Sequence, residues 1–115
     1  MRVLLFALAL SLLAALALAE TIMPSEAQKH IGQNLTVEGV VSEVHHIRGK
    51  SEIFVALGGH YPKTVFRAAI LGDDTAKFPD VDSLKGKTVM LTGKIELYKG
   101  RAEIVLHDPG QLKAK

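Results

Sequence analysis

The chain has 115 residues, with 14 Lys and Arg, 12 Asp and Glu, 5 His and no Cys. That length holds one domain, and the near-balance of charge argues against a strong non-specific nucleic-acid binder. The lack of Cys excludes a disulfide framework, a thiol nucleophile and a thiolate metal site, so stability must come from packing and hydrogen-bonded ladders.

Residues 1–19 read as a targeting segment. Arg2 gives a short positive region, Val3 to Ala19 is apolar except for Ser11, and Ala17-Leu18-Ala19 offers the small residues of a cleavage site before Glu20. The expectation is a secretory signal peptide at 1–19, which places residues 20–115 in the periplasm or outside the cell as a single domain with no membrane span after cleavage. Without Arg2 the balance is 13 basic against 12 acidic side chains, a net charge of +1.

In chain order, Pro24-Ser25-Glu26 starts a short helix with Ser25 as N-cap and Gln28 as its capping-box partner, and Gly32 stops it. This helix is expected to plug one end of a β structure. Residues 35–44 form the first strand, with Leu35 and Val37 on one face and Thr36 and Glu38 on the other. His45-His46-Ile47-Arg48-Gly49-Lys50 is a cationic loop. Residues 51–57 form the second strand, with Ile53, Val55 and Leu57 opposed to Glu52, Phe54 and Ala56. Residues 58–63 make a turn. Residues 64–71 form the third strand, with Phe66, Ala68 and Ile70 opposed to Val65, Arg67 and Ala69.

A connector follows, in which Asp73 or Asp74 caps a short helix that Pro79 ends. The fourth strand is expected at 88–97, a hairpin at Tyr98-Lys99-Gly100, the fifth strand at 101–106, and a frayed basic tail at 111–115. Residues 32–41 and 86–95 repeat one pattern: Gly, two polar residues, an aliphatic residue, then a second glycine (Gly39, Gly93) inside the strand. Such glycines mark bulges, barrel corners or close backbone approaches. The two are expected to be equivalent bends in the first and fourth strands of one small barrel.

The stretch 85–106 resembles the last two strands of the OB-fold family, in its anticodon-binding-like nucleic-acid-binding group: G-x-x-V-x-[VL]-x-G-x-[VI], a short hairpin, then an alternating last strand. Residues 32–41 resemble that family's first strand. Phe54-Val55-Ala56-Leu57-Gly58 with Tyr61-Pro62 resembles the second strand and following loop of small exported bacterial members. The resemblance implies an all-β, five-stranded OB-fold Greek-key barrel with a short N-terminal helix and a short helix between strands 3 and 4.

OB barrels bind across strands 2 and 3, flanked by the 1–2 and 4–5 loops. The resemblance therefore implies ligand-binding roles for His45, Arg48 and Lys50 in the first loop and for Phe54 and Arg67 on the sheet face. It adds Tyr61 and Lys63 in the 2–3 loop, and Tyr98, Lys99 and Arg101 in the last hairpin. Cations track a phosphate backbone and exposed rings stack on bases, so the implied partner is single-stranded nucleic acid. The alternative is an envelope protein- or glycan-interaction module of the same fold. Each residue also has a structural explanation: Phe54 as a buried ring, and Arg67 as the cross-strand partner of Glu52, Glu96 or Glu103.

No metal, cofactor or catalytic role is expected. His45 and His46 are adjacent and point to opposite faces of a strand, and no His-x-His, His-x3-His or His-Glu-x-x-His spacing occurs. There is no Gly-x-Ser-x-Gly elbow, and the acidic pairs lie in the connector, where capping and solvation explain them.

Overall fold

The computed structural model describes residues 20–115, so the segment read as a signal peptide lies outside the described residues. The fold is mostly β. Its strands are β1 (Thr21–Ile22), β2 (Asn34–His46), β3 (Glu52–His60), β4 (Lys63–Leu71), β5 (Thr88–Lys94), β6 (Glu96–Tyr98), β7 (Arg101–Val105) and β8 (Leu112–Ala114). They form one sheet in the order β6-β7-β4-β3-β2-β5-β8, with β1 added in parallel to β2. Helical turns are all of the short 3-10 type, at Pro24–His30, Gly72–Lys77, Val81–Leu84 and Pro109–Gln111. Among the described residues, no helix is long and apolar enough to cross a membrane.

The long strand β2 joins the two halves. Its first part, through Val40, pairs with β5, and its second part, from Val41, pairs with β3. The register slips between Val41 and Glu43. The Ser42 hydroxyl fills the slip, donating to the Gly59 carbonyl at 2.6 Å and accepting from the Gly58 N–H at 3.1 Å. The irregularity is thus at Ser42 and not at Gly39, where the repeat pattern had placed a bend. Gly39 instead makes room: a Cβ there would come 2.7 Å from Pro24 Cγ, because the N-terminal helical turn lies against the strand. Gly93 does the same on β5, facing Ile104 of β7 and the Gln111 side chain.

The predicted alternation holds through the centre. Ile53, Val55 and Leu57 of β3 and Phe66, Ala68 and Ile70 of β4 all point into the core, with Val37, Val89, Leu91 and Ile104. Other expectations change. The second strand runs on to His60, so the 58–63 turn shrinks to the Tyr61–Pro62 link. The fourth strand breaks at Ile95. That residue is fully buried and exchanges backbone hydrogen bonds with the turn before β2, Gly32 N–H to Ile95 carbonyl at 2.7 Å and Ile95 N–H to Gln33 carbonyl at 2.9 Å. Its chain direction therefore turns, and β6 pairs with β7.

The helical expectations are also corrected. At the first turn Met23, not Ser25, holds the N-cap position, and the Glu26 carboxylate accepts from the Met23 N–H at 3.0 Å. Gln28 reaches across to the last hairpin, donating to the Gly100 carbonyl at 3.3 Å and accepting from the Ala102 N–H at 3.2 Å. In the connector two 3-10 turns replace one helix, and neither Asp73 nor Asp74 caps the first of them. Asp74 ties the connector to the last strand's end: Lys77 lies 2.8 Å away and His107 3.0 Å. Hydrogen bonds from Lys77 and His107 hold the Asp74 carboxyl below its ordinary pKa.

The five expected strands are present as β2, β3, β4, β5 with β6, and β7, and the short β1 and β8 bring the sheet to eight. β4 and β7 pair in parallel, but among the described residues no ladder joins β5 to β7. Gln111 bridges that seam. Its Nε2 donates to the Thr92 carbonyl of β5 at 3.0 Å and the Val105 carbonyl of β7 at 3.4 Å, while its Oε1 accepts from the N–H groups of His107 and Asp108. The tail is accordingly not frayed. Leu112 packs on the core, and Leu112–Ala114 extends the sheet along β5. We expect Gln111→Ala to cost about 1–2 kcal/mol, since two strand carbonyls lose their shared donor; the urea midpoint at unchanged m-value measures it.

Candidate functional site

Alternation puts Phe54 and Ala56 of β3, and Arg67 and Ala69 of β4, on the outer face of the sheet. Cross-strand register aligns His45 with Phe54 and Phe54 with Ala69 in one row, and Ala56 with Arg67 and Arg67 with Glu103 in the next. Each long side chain thus has an alanine beside it across the strands. With only methyl groups at Ala56 and Ala69, the Phe54 ring and the Arg67 guanidinium can lie across the sheet.

Arg67 Cζ sits 3.8 Å from the centroid of the Phe54 ring and 5.5 Å from that of Tyr98. The Tyr61 ring is nearly parallel to Phe54 at 6.2 Å and stacks on His45 at 4.2 Å. At the far end, Lys99 Nζ is 5.4 Å from the Tyr98 ring. The result is a row of stacked rings that continues into cations and a further ring: His45, Tyr61, Phe54, Arg67, Tyr98, Lys99. Cations over ring faces are attracted by the ring quadrupole, which holds the row in order.

A cleft of about 370 Å³ opens on this row. The expected residues Lys50, Phe54, Tyr61, Arg67, Tyr98, Lys99 and Arg101 all line it. His45 stands behind Tyr61, while Arg48 and Lys63 are exposed and lie outside the lining. Ile47, Glu52 and Pro62 complete the walls and were not among the expected residues. The signal for Glu52 was present, since it shares the Phe54 face of its strand. No local pattern marks Ile47 or Pro62.

The groups differ in what they leave free. Phe54 is 9% exposed, covered by Arg67 on the outer side of the sheet and not sealed beneath the N-terminal helix. Tyr61 and Tyr98 remain 44% and 47% exposed. Arg67 Nε donates to Glu103 Oε1 at 3.0 Å, and both side chains are largely buried. Of the three carboxylates that could have taken Arg67, Glu103 is the one its parallel register places opposite. Arg101 Nη1 donates to the Pro62 carbonyl, so it braces the last hairpin against the β3–β4 turn across the cleft mouth. Lys50 and Lys99 are exposed at the rim.

The hairpin Tyr98-Lys99-Gly100-Arg101 has φ of +49° at Lys99 and +78° at Gly100. Tight hairpins need both signs positive, but Asn or Gly normally supplies the first position. Lysine there is strained, and its ammonium lies over the Tyr98 ring at the rim of the cleft. Lys99→Asn is expected to raise stability by about 0.5–1 kcal/mol while removing a rim cation. A higher melting temperature together with weaker ligand binding is the result to look for.

Among the described residues, no group of three His, Cys, Asp or Glu is placed to hold a metal ion. His46 pairs with Asp82 at 2.7 Å and His107 with Asp74, each at the surface.

No protein-family model matches the sequence, and no curated protein sequence matches it. Solved structures do resemble it. The OBody AM1L10 bound to hen egg-white lysozyme aligns at a TM-score of 0.61 and 17% identity, over 84% of this chain and 93% of the OBody. A second OBody, AM2EP06, also bound to hen egg-white lysozyme, aligns at 0.52 and 17% identity over 77% and 89%. Asparaginyl-tRNA synthetase from Pyrococcus horikoshii aligns at 0.55 and 16% identity, over 84% of this chain and 23% of the synthetase. The chain thus spans less than a quarter of the synthetase's length, and the likeness is to the OB-fold anticodon-binding domains of such enzymes. At these identities the likeness is one of fold.

Proposed function

We propose that residues 20–115 form a non-catalytic OB-fold binding module whose cleft on the β3/β4 face takes single-stranded nucleic acid. The observation that carries this reading is the convergence of Lys50, Arg67, Lys99 and Arg101 with two half-exposed tyrosines around one cleft. Residues 20–115 as a whole carry 13 basic and 12 acidic side chains, and Glu52 is the one acidic residue of the lining, so the cation excess is local. Rim ammonium groups attract the phosphate backbone, and the half-exposed Tyr61 and Tyr98 are the rings that a base can reach. Residues 1–19 act as a signal peptide in this reading, and the module works in the periplasm or outside the cell.

The test is a titration of residues 20–115 against a fluorescent single-stranded oligonucleotide at several salt concentrations. Three cations that meet phosphates, Lys50, Lys99 and Arg101, predict a slope of log K against log salt of about −2. Absence of any binding at low salt would sink the reading.

A second reading is a protein- or glycan-interaction module of the envelope. It is favoured by the neutralised Arg67 and the engaged Arg101, which leave fewer free cations than the sequence promised. The OBodies, whose bound partner is a protein, support the fold's capacity for such use. Capture of an envelope protein or glycan with little dependence on salt, and no oligonucleotide binding, is the outcome that selects it.

A further inference from the structure

The floor of the cleft differs from its rim. Arg67 is fixed on three sides: the Phe54 ring at 3.8 Å, the Tyr98 ring at 5.5 Å and Glu103 through Nε at 3.0 Å. Nε is the one nitrogen of the Arg67 guanidinium with a hydrogen-bonded acceptor among the described residues. Yet no buried side-chain nitrogen or oxygen among them lacks a partner. Neither Nη group is therefore sealed in the interior, and Arg67 lines the cleft although its side chain is only 12% exposed. The two Nη groups form a recessed, planar, two-pronged donor.

Glu103 cancels the charge of Arg67, so the pair adds nothing net to the attraction for a polyanion. What remains is direction: parallel N–H groups held in one plane. Exposed Lys50 and Lys99 already serve the phosphates at the rim. At the floor of the cleft, the guanidinium suits a flat group that presents two adjacent acceptors.

We propose that Arg67, positioned by Glu103 and Phe54, reads the edge of one stacked base and makes the cleft selective for bases with two neighbouring acceptors. This deepens the nucleic-acid reading of the same site and rests on it. Guanine offers O6 and N7, the commonest specific target of a bidentate arginine. Unpaired cytosine offers O2 and N3. Adenine and thymine have no such pair, since each alternates donor and acceptor along its edges.

The experiment measures binding of residues 20–115 to thymine oligonucleotides carrying one central guanine, cytosine, adenine or thymine. Guanine or cytosine is expected to tighten binding about 5- to 100-fold over adenine and thymine. Replacing guanine by 7-deazaguanine removes N7 with the protein untouched, and it erases the gain if guanine is the base read. A gain confined to the cytosine probe identifies cytosine instead. Arg67→Lys keeps the charge and loses the fork, so it levels the four probes while leaving the salt slope unchanged.

Glu103→Gln unmasks the arginine's charge. It should steepen the salt slope by about 0.7 and reduce the preference between bases, which a purely structural carboxylate would not do. Equal affinity for all four probes with normal salt dependence overturns this inference and leaves the nucleic-acid reading standing. No binding to any probe overturns both. Should Arg67→Lys fail to fold, the base-substituted probes decide the matter on the unaltered protein.

Discussion

Gly93→Val is expected to destabilise the fold by about 2–4 kcal/mol. A Cβ at this position would lie 2.9 Å from Ile104 Cγ2 and 3.0 Å from Gln111 Nε2. Ile104 is fully buried, and its branched side chain has no free end to swing aside. Overpacking of this kind costs about 1–3 kcal/mol. Gln111 must also move, and with it go the hydrogen bonds that bridge β5 and β7, worth about 1 kcal/mol each. The seam there has no backbone ladder, so the side-chain bridge is not duplicated. Chemical denaturation gives the readout. Gly110→Ala is the control, because its nearest neighbour, Asp108 Oδ1, is 3.7 Å away. A Gly93→Val protein with the native denaturation midpoint would contradict the close approach of β5 and β7.

Tyr98→Ala is expected to weaken oligonucleotide binding by about 10- to 100-fold, from the 1–3 kcal/mol that one base–aromatic stack contributes. The ring is nearly half exposed, so the same change should cost little stability. Tyr61→Ala should weaken binding comparably and also lower stability by about 1 kcal/mol, because it strips a stacking partner from His45 and a cover from Phe54. Arg48→Ala and Lys63→Ala, outside the cleft, should each shift affinity less than either tyrosine. Anisotropy titrations at one salt concentration compare all four. Should Arg48→Ala match Tyr98→Ala in effect, the cleft is not where the ligand sits.

The parts of this protein that could be read in advance are those with a short period. Alternation assigned Ile53, Val55 and Leu57 to one face and Phe54 to the other, because side chains on a strand change sides at every residue whatever the strand packs against. The same rule put Arg67 on the Phe54 face. The loop residues of the lining, Lys50, Tyr61, Tyr98, Lys99 and Arg101, came from the resemblance to OB folds. The residues missed were those whose role depends on a distant partner. Ile95 ends a strand because the turn before β2 needs its backbone groups. Gln111 sits in a segment that looked like a loose tail, and its four partners are spread over β5, β7 and the loop before it. Nothing local marks such a residue.

The repeated glycine pattern shows the division best. Sequence alone established that two strands share a design and that each carries a position intolerant of a side chain. It also set the mostly β class and the inward and outward faces. Only the tertiary structure decided why the glycines are needed: Pro24 lies over Gly39, while Ile104 and Gln111 close on Gly93. Likewise the sequence supplied an arginine, three carboxylates and an exposed strand face. The parallel pairing of β4 with β7 chose Glu103 and neutralised Arg67. Strand faces follow from local stereochemistry and are written in the order of residues. Close approaches and charge pairing depend on which strands become neighbours, and that is settled only when the whole sheet assembles.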